Sequence, residues 1–276
     1  DDVVTAGDER TAFDVADPRV VHDAMAGARA DVVYHLAARS HVGESWTDPD
    51  AVLRVNVEGT RNMLDAARAT GVARVLFVGS AEEYGPVPEG ARVAEDAPLH
   101  PTTPYGHSKA QASALCELAW KEHGLETVCT RTFSHTGPGQ SDRFLIPALA
   151  RRIVDAERAN ADHIVMGSLE PVRDISDVRD VVVAYRLLAE RGSAGEVYNV
   201  CSGEGVSVRA IADALLANAR VPLRVEVDPA LVRPIDVPRL VGDPSKVIAA
   251  TGWQPRYSLE DTLDSVLAEA RGVDGK

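Results

Sequence analysis

The amino-acid sequence predicts an α/β fold, a doubly wound parallel sheet (Rossmann-type) with an interleaved smaller substrate-binding lobe. In the first half of the chain, short β-branched apolar runs alternate with long helical stretches, the pattern of a parallel sheet covered by helices on both faces. After Arg131 the rhythm loosens into shorter strands and helices, as expected of a smaller lobe woven into the first. At 276 residues the chain can bury a large core without disulfides.

Taken in order, residues 2–5 and 11–15 read as strands, and Val32-Val33-Tyr34-His35-Leu36 reads as a buried strand. A long helix is predicted over 51–69 and a strand over 75–78. A loop rich in Pro and Gly follows over 85–104, then a helix over 105–123 and a strand over 127–131. Beyond it, helices are predicted at 146–157, 178–191, 208–219 and 259–270, with strands near Ile164, at 197–200 and at 223–227. The expected division is a larger domain over 1–133 and 174–200, which the family resemblance given below implies is dinucleotide-binding, and a lobe over 134–173 and 201–276, which it implies is sugar-nucleotide-binding. The first strand and Gly-rich turn that usually open such a sheet have no counterpart before Asp14, so residues 2–5 are expected to be its second strand. Either an upstream segment supplies those parts or the chain does not hold a dinucleotide in the usual way. Unpaired backbone groups beside a missing central strand would cost about 1–3 kcal/mol each, which favours the former.

Composition narrows the function classes. A net charge of -13 argues against a general phosphate-backbone binder, so no nucleic acid is expected as partner, whereas a nucleotide held by a few arginines is compatible with it. Cys116, Cys129 and Cys201 lack metal-ligand spacing and lie in apolar stretches, which favours small buried hydrophobes over ligands. No run of eighteen apolar residues occurs and the first residues are acidic, so a soluble cytoplasmic protein with no membrane partner and no metal is expected.

The chemistry centres on Tyr105-Gly-His-Ser-Lys109 and on Ser80, which follows the apolar run Val75-Leu76-Phe77-Val78. A phenol and an ammonium four residues apart share one helical face and make a proton-transfer pair for a carbonyl. Lowering a phenol by three pKa units costs about 4 kcal/mol, roughly what an ammonium about 4 Å away supplies at an effective dielectric of about 20, so Lys109, helped by a positively charged oxidised nicotinamide, could poise Tyr105. Ser80 at a strand end would hydrogen-bond the same substrate oxygen.

Together these features resemble the extended short-chain dehydrogenase/reductase family, of the NAD-dependent epimerase/dehydratase type, over essentially the whole chain from Asp14 onward. The resemblance implies that Ser80, Tyr105 and Lys109 form the catalytic triad. It implies that Asp14-Val15 contacts adenine, that His35-Leu36-Ala37-Ala38 lies beside the pyrophosphate and ribose, and that Asn56-Val57-Glu58-Gly59-Thr60 steadies the centre of the sheet. The stretch 131–140, RTFSHTGPGQ, is similar to the segment that brings Phe133 and His135 to a nicotinamide and Ser134 to the sugar nucleotide; the family's usual Asn is Ser134 here. Gly167-Ser168-Leu169-Glu170, the stretch 173–180, the stretch 197–203 and Arg233-Pro234-Ile235-Asp236-Val237-Pro238 resemble segments framing the nucleotide. The likeness points most to the GDP-4-dehydro-6-deoxy-D-mannose reductases, which implies reduction of a C4 ketone to GDP-D-rhamnose with NAD or NADP.

Arg173, Arg209 and Arg233 could converge on a diphosphate through forked hydrogen bonds or remain solvated surface charges. Gly167, Leu169 and Asp236 belong to the same implied nucleotide frame. His41, Glu44 and Ser45 could line the sugar pocket or cap the next helix. Glu82, two residues after Ser80, matches the proton-abstracting Glu of the 4,6-dehydratases that this chain also resembles, although Ala81 cannot act as their proton donor. A C4 epimerase uses the same triad, and a non-catalytic sugar-nucleotide binder is the alternative outside enzymes. For the cofactor, Asp8 could accept from an adenosine ribose and favour NAD, whereas Arg10 could pair with the 2′-phosphate of NADP. The helices over 51–69 and 105–123 resemble those that pair in family homodimers, with Ala112, Leu115 and Ala119 offering a small-residue face.

Overall fold

The computed structural model describes residues 2–6, 9–88, 90–231 and 237–272. Asp8, Arg233 and Asp236 lie outside the described residues, as does the side chain of Arg10. The chain opens with β1 (Asp2–Ala6), β2 (Glu9–Phe13), α1 (Pro18–Ala28) and β3 (Val32–His35). Two short helices follow, α2 (Val42–Ser45) and α3 (Pro49–Leu53), and then α4 (Gly59–Thr70) and β4 (Arg74–Ser80). Next come α5 (Pro104–His123), β5 (Glu126–Thr132) and β6 (Ser134–Thr136).

The central sheet has the order β3-β4-β5 and, at its other edge, β9 (Val197–Val200), all parallel. The first two strands depart from expectation. Rather than extending this sheet, β1 and β2 pair antiparallel with each other. Two residues separate them, enough for a hairpin, whereas parallel neighbours need a crossover of a dozen or more.

The helix predicted over 51–69 is also more elaborate. A π turn, Arg54–Glu58, joins α3 to α4 and turns Asn56 into the interior. On α5, Thr103 caps the N-terminus by accepting from Gly106 N at 2.9 Å, Pro104 opens the first turn, and Gly124 closes the helix with φ 67°. Its buried residues Tyr105, Ser108, Lys109, Ala112, Cys116 and Ala119 recur every three or four positions, so one face of the helix delivers both the site and part of the core. Ala112 and Ala119 are therefore core residues, with Leu115 packed against the same cluster, rather than a dimer face.

The second half supplies α6 (Leu145–Ala159), β7 (His163–Met166), β8 (Val172–Asp177), α7 (Val178–Arg191), β10 (Gly205–Ser207), α8 (Val208–Ala217) and β11 (Arg224–Val227). The chain closes with β12 (Arg239–Leu240), α9 (Ser245–Thr251) and α10 (Leu259–Ala270). A second sheet runs β10-β8-β12, with β6 also paired to β8, while β7 and β11 form a parallel pair. Buried side chains of α6, α8 and α10 make one core, including Leu149, Ile153, Ile211 and Leu267. The division expected from sequence assigns Val247 and Trp253 to the smaller lobe. They pack instead with Leu76, Val128 and Leu188 under the central sheet, because α9 returns to lie against α7 and β9. All three cysteines are buried, as their apolar settings predict. Among the described residues no helix is long and apolar enough to cross a membrane.

Candidate active site

A cavity of about 670 Å³ lies at the carboxyl ends of β4 and β5, where parallel sheets place ligands, and extends toward α6 and β8. Ser80, Glu82, Tyr105 and Lys109 all line it. Ser80 ends β4, and its Oγ accepts from Glu82 N at 3.2 Å. That bond uses a lone pair and leaves the hydroxyl free to turn; the same hydroxyl is hydrogen-bonded with the Tyr105 phenol. Tyr105 and Lys109, four residues apart on α5, are 8% and 3% exposed.

The expected tuning of the phenol by Lys109 belongs to the site with a nicotinamide bound; in this structure the ammonium is engaged by the backbone and an aromatic ring. Lys109 Nζ donates to Val78 O at 2.7 Å and stands 5.0 Å from the Phe77 ring centre. Burial pushes the Tyr105 phenol up, partly offset by the Ser80 hydrogen bond, and nearby Glu82 and Glu83 push the same way as burial. Burial also brings Lys109 down to about 8, against the pull of Glu83. The arrangement therefore keeps Tyr105 a neutral acid, suited to giving a proton to a nascent alkoxide.

The small-residue turn after β3 is held from below. Asn56 Oδ1 accepts from Arg39 N at 2.8 Å, and Asn56 Nδ2 donates to Arg39 O at 3.2 Å and to Ser108 Oγ at 2.8 Å. Ser108 in turn donates to Tyr105 O at 2.7 Å, which links the turn to α5. His35, with its pKa lowered to about 3 mainly by burial, is a neutral ring bonded to Thr60 at 2.9 Å. Leu36 and Ala38 line the cavity, whereas Ala37 packs against the core. Asp14 and Val15 do not line it. Asp14 pairs with Arg54 at 2.7 Å, and Val15 is buried with its carbonyl accepting from Asn62 at 3.1 Å.

Toward α6 the cavity is lined by Phe133, Ser134, His135, Gly167, Arg173 and His41. The ring of His135 donates from Nδ1 to Phe133 O at 3.1 Å, and burial lowers its pKa. Arg173 donates to the carbonyls of Val172 and Val237 at 3.0 and 2.7 Å. A Cβ at Gly167 would stand 2.5 Å from Leu231 O, so only glycine allows that close approach.

Four expected substrate residues lie elsewhere. Glu44 forms an ion pair with Arg143, and Ser45 is buried with its hydroxyl on Val42 O at 2.7 Å. Leu169 belongs to the α6 core, and exposed Arg209 pairs with Glu170 at 3.7 Å. The cations that do line the cavity beside Arg173 are Arg143 and Arg152, which sequence reasoning missed. Their signal was the position of α6 directly after the 131–140 stretch, with Arg152 one step off its apolar face. Tyr185 was missed as well, whereas Thr132 and Gln140 fall within the expected 131–140 stretch; Thr132 and Tyr185 share a buried hydroxyl–hydroxyl bond at 2.8 Å.

Residues 8–266 match the family described as GDP-mannose 4,6 dehydratase. The chain is 37% identical over 243 residues to the GDP-6-deoxy-D-mannose reductase of Pseudomonas aeruginosa, covering 87% of this chain and 80% of the relative. The solved structure of RMD from Pseudomonas aeruginosa complexed with NADPH superposes with a TM-score of 0.89 at 33% identity, over 95% of this chain and 88% of the other. A UDP-glucose 4-epimerase of Thermus thermophilus, solved in complex with NAD, gives a TM-score of 0.86 at 30% identity over 94% and 84% of the two chains. With Ser80, Tyr105 and Lys109 brought to one cavity and a family match spanning most of its length, this chain belongs to the GDP-mannose 4,6-dehydratase family, within the NAD-dependent epimerase/dehydratase enzymes of the short-chain dehydrogenase/reductase superfamily.

Proposed function

We propose that this chain reduces the C4 ketone of GDP-4-dehydro-6-deoxy-D-mannose to GDP-D-rhamnose with NAD(P)H. The observation that carries the reading is the Ser80, Tyr105 and Lys109 constellation in a cavity that Arg143, Arg152 and Arg173 also line. The 37% identity to a GDP-6-deoxy-D-mannose reductase supports the substrate. The residues present fit a nicotinamide nucleoside: a buried ammonium, a phenol, a small-residue turn braced by Asn56, and the Phe133–His135 segment lie within one cavity region or directly behind it. When bound, the cofactor supplies hydride to the carbonyl carbon.

Ser80 orients the carbonyl oxygen by turning its hydroxyl from Tyr105 to the substrate. Tyr105, kept neutral by burial, delivers its proton to that oxygen as charge develops. Lys109 presents ammonium protons to ribose hydroxyls, and Asn56 holds the turn at Arg39 and the first turn of α5 in register. Arg143, Arg152 and Arg173 bind the diphosphate as charge-assisted donors. Residues 1–133 and 174–200 serve mainly the cofactor, and the remainder, apart from α9 and Trp253 packed under the central sheet, serves mainly the sugar nucleotide. A homodimer forms through α3, α4 and α5, whose outer positions Leu53 and Leu118 are 37% and 47% exposed.

The test is oxidation of NADH and NADPH against GDP-, dTDP- and UDP-linked 4-keto-6-deoxy sugars, with product stereochemistry read by NMR. Turnover of the GDP-linked ketone to the D-rhamno product is expected, and turnover confined to another nucleotide would overturn the substrate. A second reading has one observation in its favour: Glu82 lines the cavity beside Ser80, where a 4,6-dehydratase places its base. In that case GDP-mannose alone would yield a 4-keto sugar without external reductant, and Glu82→Gln would abolish it.

A further inference from the structure

Next to Ser80 lies a carboxylate that no step above uses. Glu83 is 0% exposed, and the single 3-10 turn Ala81–Glu83 folds it back beneath the end of β4. Its Oε1 accepts from Ser80 N at 2.9 Å, and its two oxygens accept from the Ser113 hydroxyl of α5 at 3.1 and 3.0 Å. Arg131 Nε on β5 donates to Oε2 at 3.3 Å. Arg131 also donates to Tyr84 Oη at 3.2 Å and Glu95 O at 2.9 Å, and Tyr84 donates to Asn199 Oδ1 at 2.7 Å, so the network continues into β9.

One carboxylate thus joins the strand end carrying Ser80, the helix carrying Tyr105 and Lys109, and the strand leading to Phe133. Ser113 lies one helical turn beyond Lys109 and two beyond Tyr105, on the face that meets the sheet. Gly79 makes room for it: a Cβ there would stand 2.6 Å from Glu83 Oε1 and 2.2 Å from Thr130 O. Fold stability by itself is a weak reason for such a group, because well-packed apolar residues commonly match or exceed a buried ion pair. Glu83 also raises the proton affinity of both Lys109 and Tyr105, in keeping with service to that pair.

We propose that Glu83 is a positioning residue of the catalytic site, fixing the Ser80 hydroxyl relative to Tyr105 and Lys109 by clamping the end of β4 to α5 and β5. This rests on the carbonyl-reduction reading of the same site. It is distinct from Glu82, which lines the cavity; Glu83 acts through Ser80 from behind.

A double-mutant cycle between Glu83→Ala and Ser80→Ala tests it. Groups acting through one another give non-additive losses, so Glu83→Ala should lower kcat by about 10–100-fold with KM within about twofold, and cost less than about threefold more in the Ser80→Ala background. Equal losses in both backgrounds, or an effect confined to KM, overturn the proposal. Glu83→Gln keeps an acceptor for Ser80 N and should recover most of kcat. Should Glu83→Ala not fold, Glu83→Gln and Ser113→Ala in the same cycle decide, with smaller losses that must likewise vanish once Ser80 is gone. Amide hydrogen exchange of the peptide spanning 78–84 gives a readout independent of substrate: the weakened clamp should speed exchange at Ser80 about tenfold, and unchanged exchange refutes it. If the wild-type enzyme turns over none of the ketosugars, the reductase reading fails while the exchange result still decides the clamp.

Discussion

Burial moves the proton affinities of Tyr105 and Lys109 in opposite directions, because it disfavours the phenolate in one and the ammonium in the other. Tyr105 therefore remains an acid throughout the physiological range, and Tyr105→Phe should lower kcat for ketone reduction by about 10²–10⁴ with the fold intact, as measured by steady-state kinetics beside thermal melting. Lys109, at about 8, loses its proton at far lower pH than a solvated lysine. As pH rises through that value the charged donor disappears, so kcat/KM for the cofactor, which reports free-enzyme ionisations, should be level below about pH 8 and decline above it. A profile level to about pH 10 would contradict the assignment. The pairing of Tyr105 with Lys109 was legible in the sequence, because a shared helical face follows from i and i+4. The partner of the ammonium was not: Val78 O comes from a neighbouring strand, and only packing brings it within 2.7 Å.

Among the elements, the helical run from Pro49 to Thr70 shows most clearly what periodicity misses. An apolar pattern of period near 3.6 predicts a helix but does not register the one-residue excess of a π turn. That excess, Arg54–Glu58, carries Asn56 inward to bond Arg39 and Ser108. Asn56→Ala would leave the Arg39 backbone groups and the Ser108 hydroxyl without this partner, at about 1–3 kcal/mol per buried unsatisfied group. The expected outcome is a rise in cofactor Kd by fluorescence titration together with a lower melting temperature, while Kd for a GDP-sugar changes little. Helices α7 and α10 matched their predicted bounds, since capping residues Asp177 and Ser258 mark their starts locally. Strands β6, β8, β10 and β12 had no such signal, being two to six residues long and defined by pairing across distant segments.

At the scale of the molecule, the apolar face that the sequence offers for pairing two subunits is occupied by the chain's own core, which leaves Leu53 and Leu118 outward. Leu118→Arg should therefore shift the proposed dimer to monomer in light scattering, with the cavity residues untouched; a mass unchanged by the substitution would place any interface elsewhere. By itself the sequence determined the α/β class and the central helices and strands, and singled out Ser80, Tyr105, Lys109 and Glu82, which line one cavity, because these depend on local periodicity and on residues close together along the chain. Tertiary structure decided what depends on distant segments meeting. It put Arg143 and Arg152 rather than Arg209 on the cavity wall, and paired β1 with β2 instead of with the central sheet. It also set the Glu83 carboxylate behind Ser80, joined to Ser113 and Arg131. A buried charge has no periodic signature; its role becomes visible only when the three elements it bonds are folded around it.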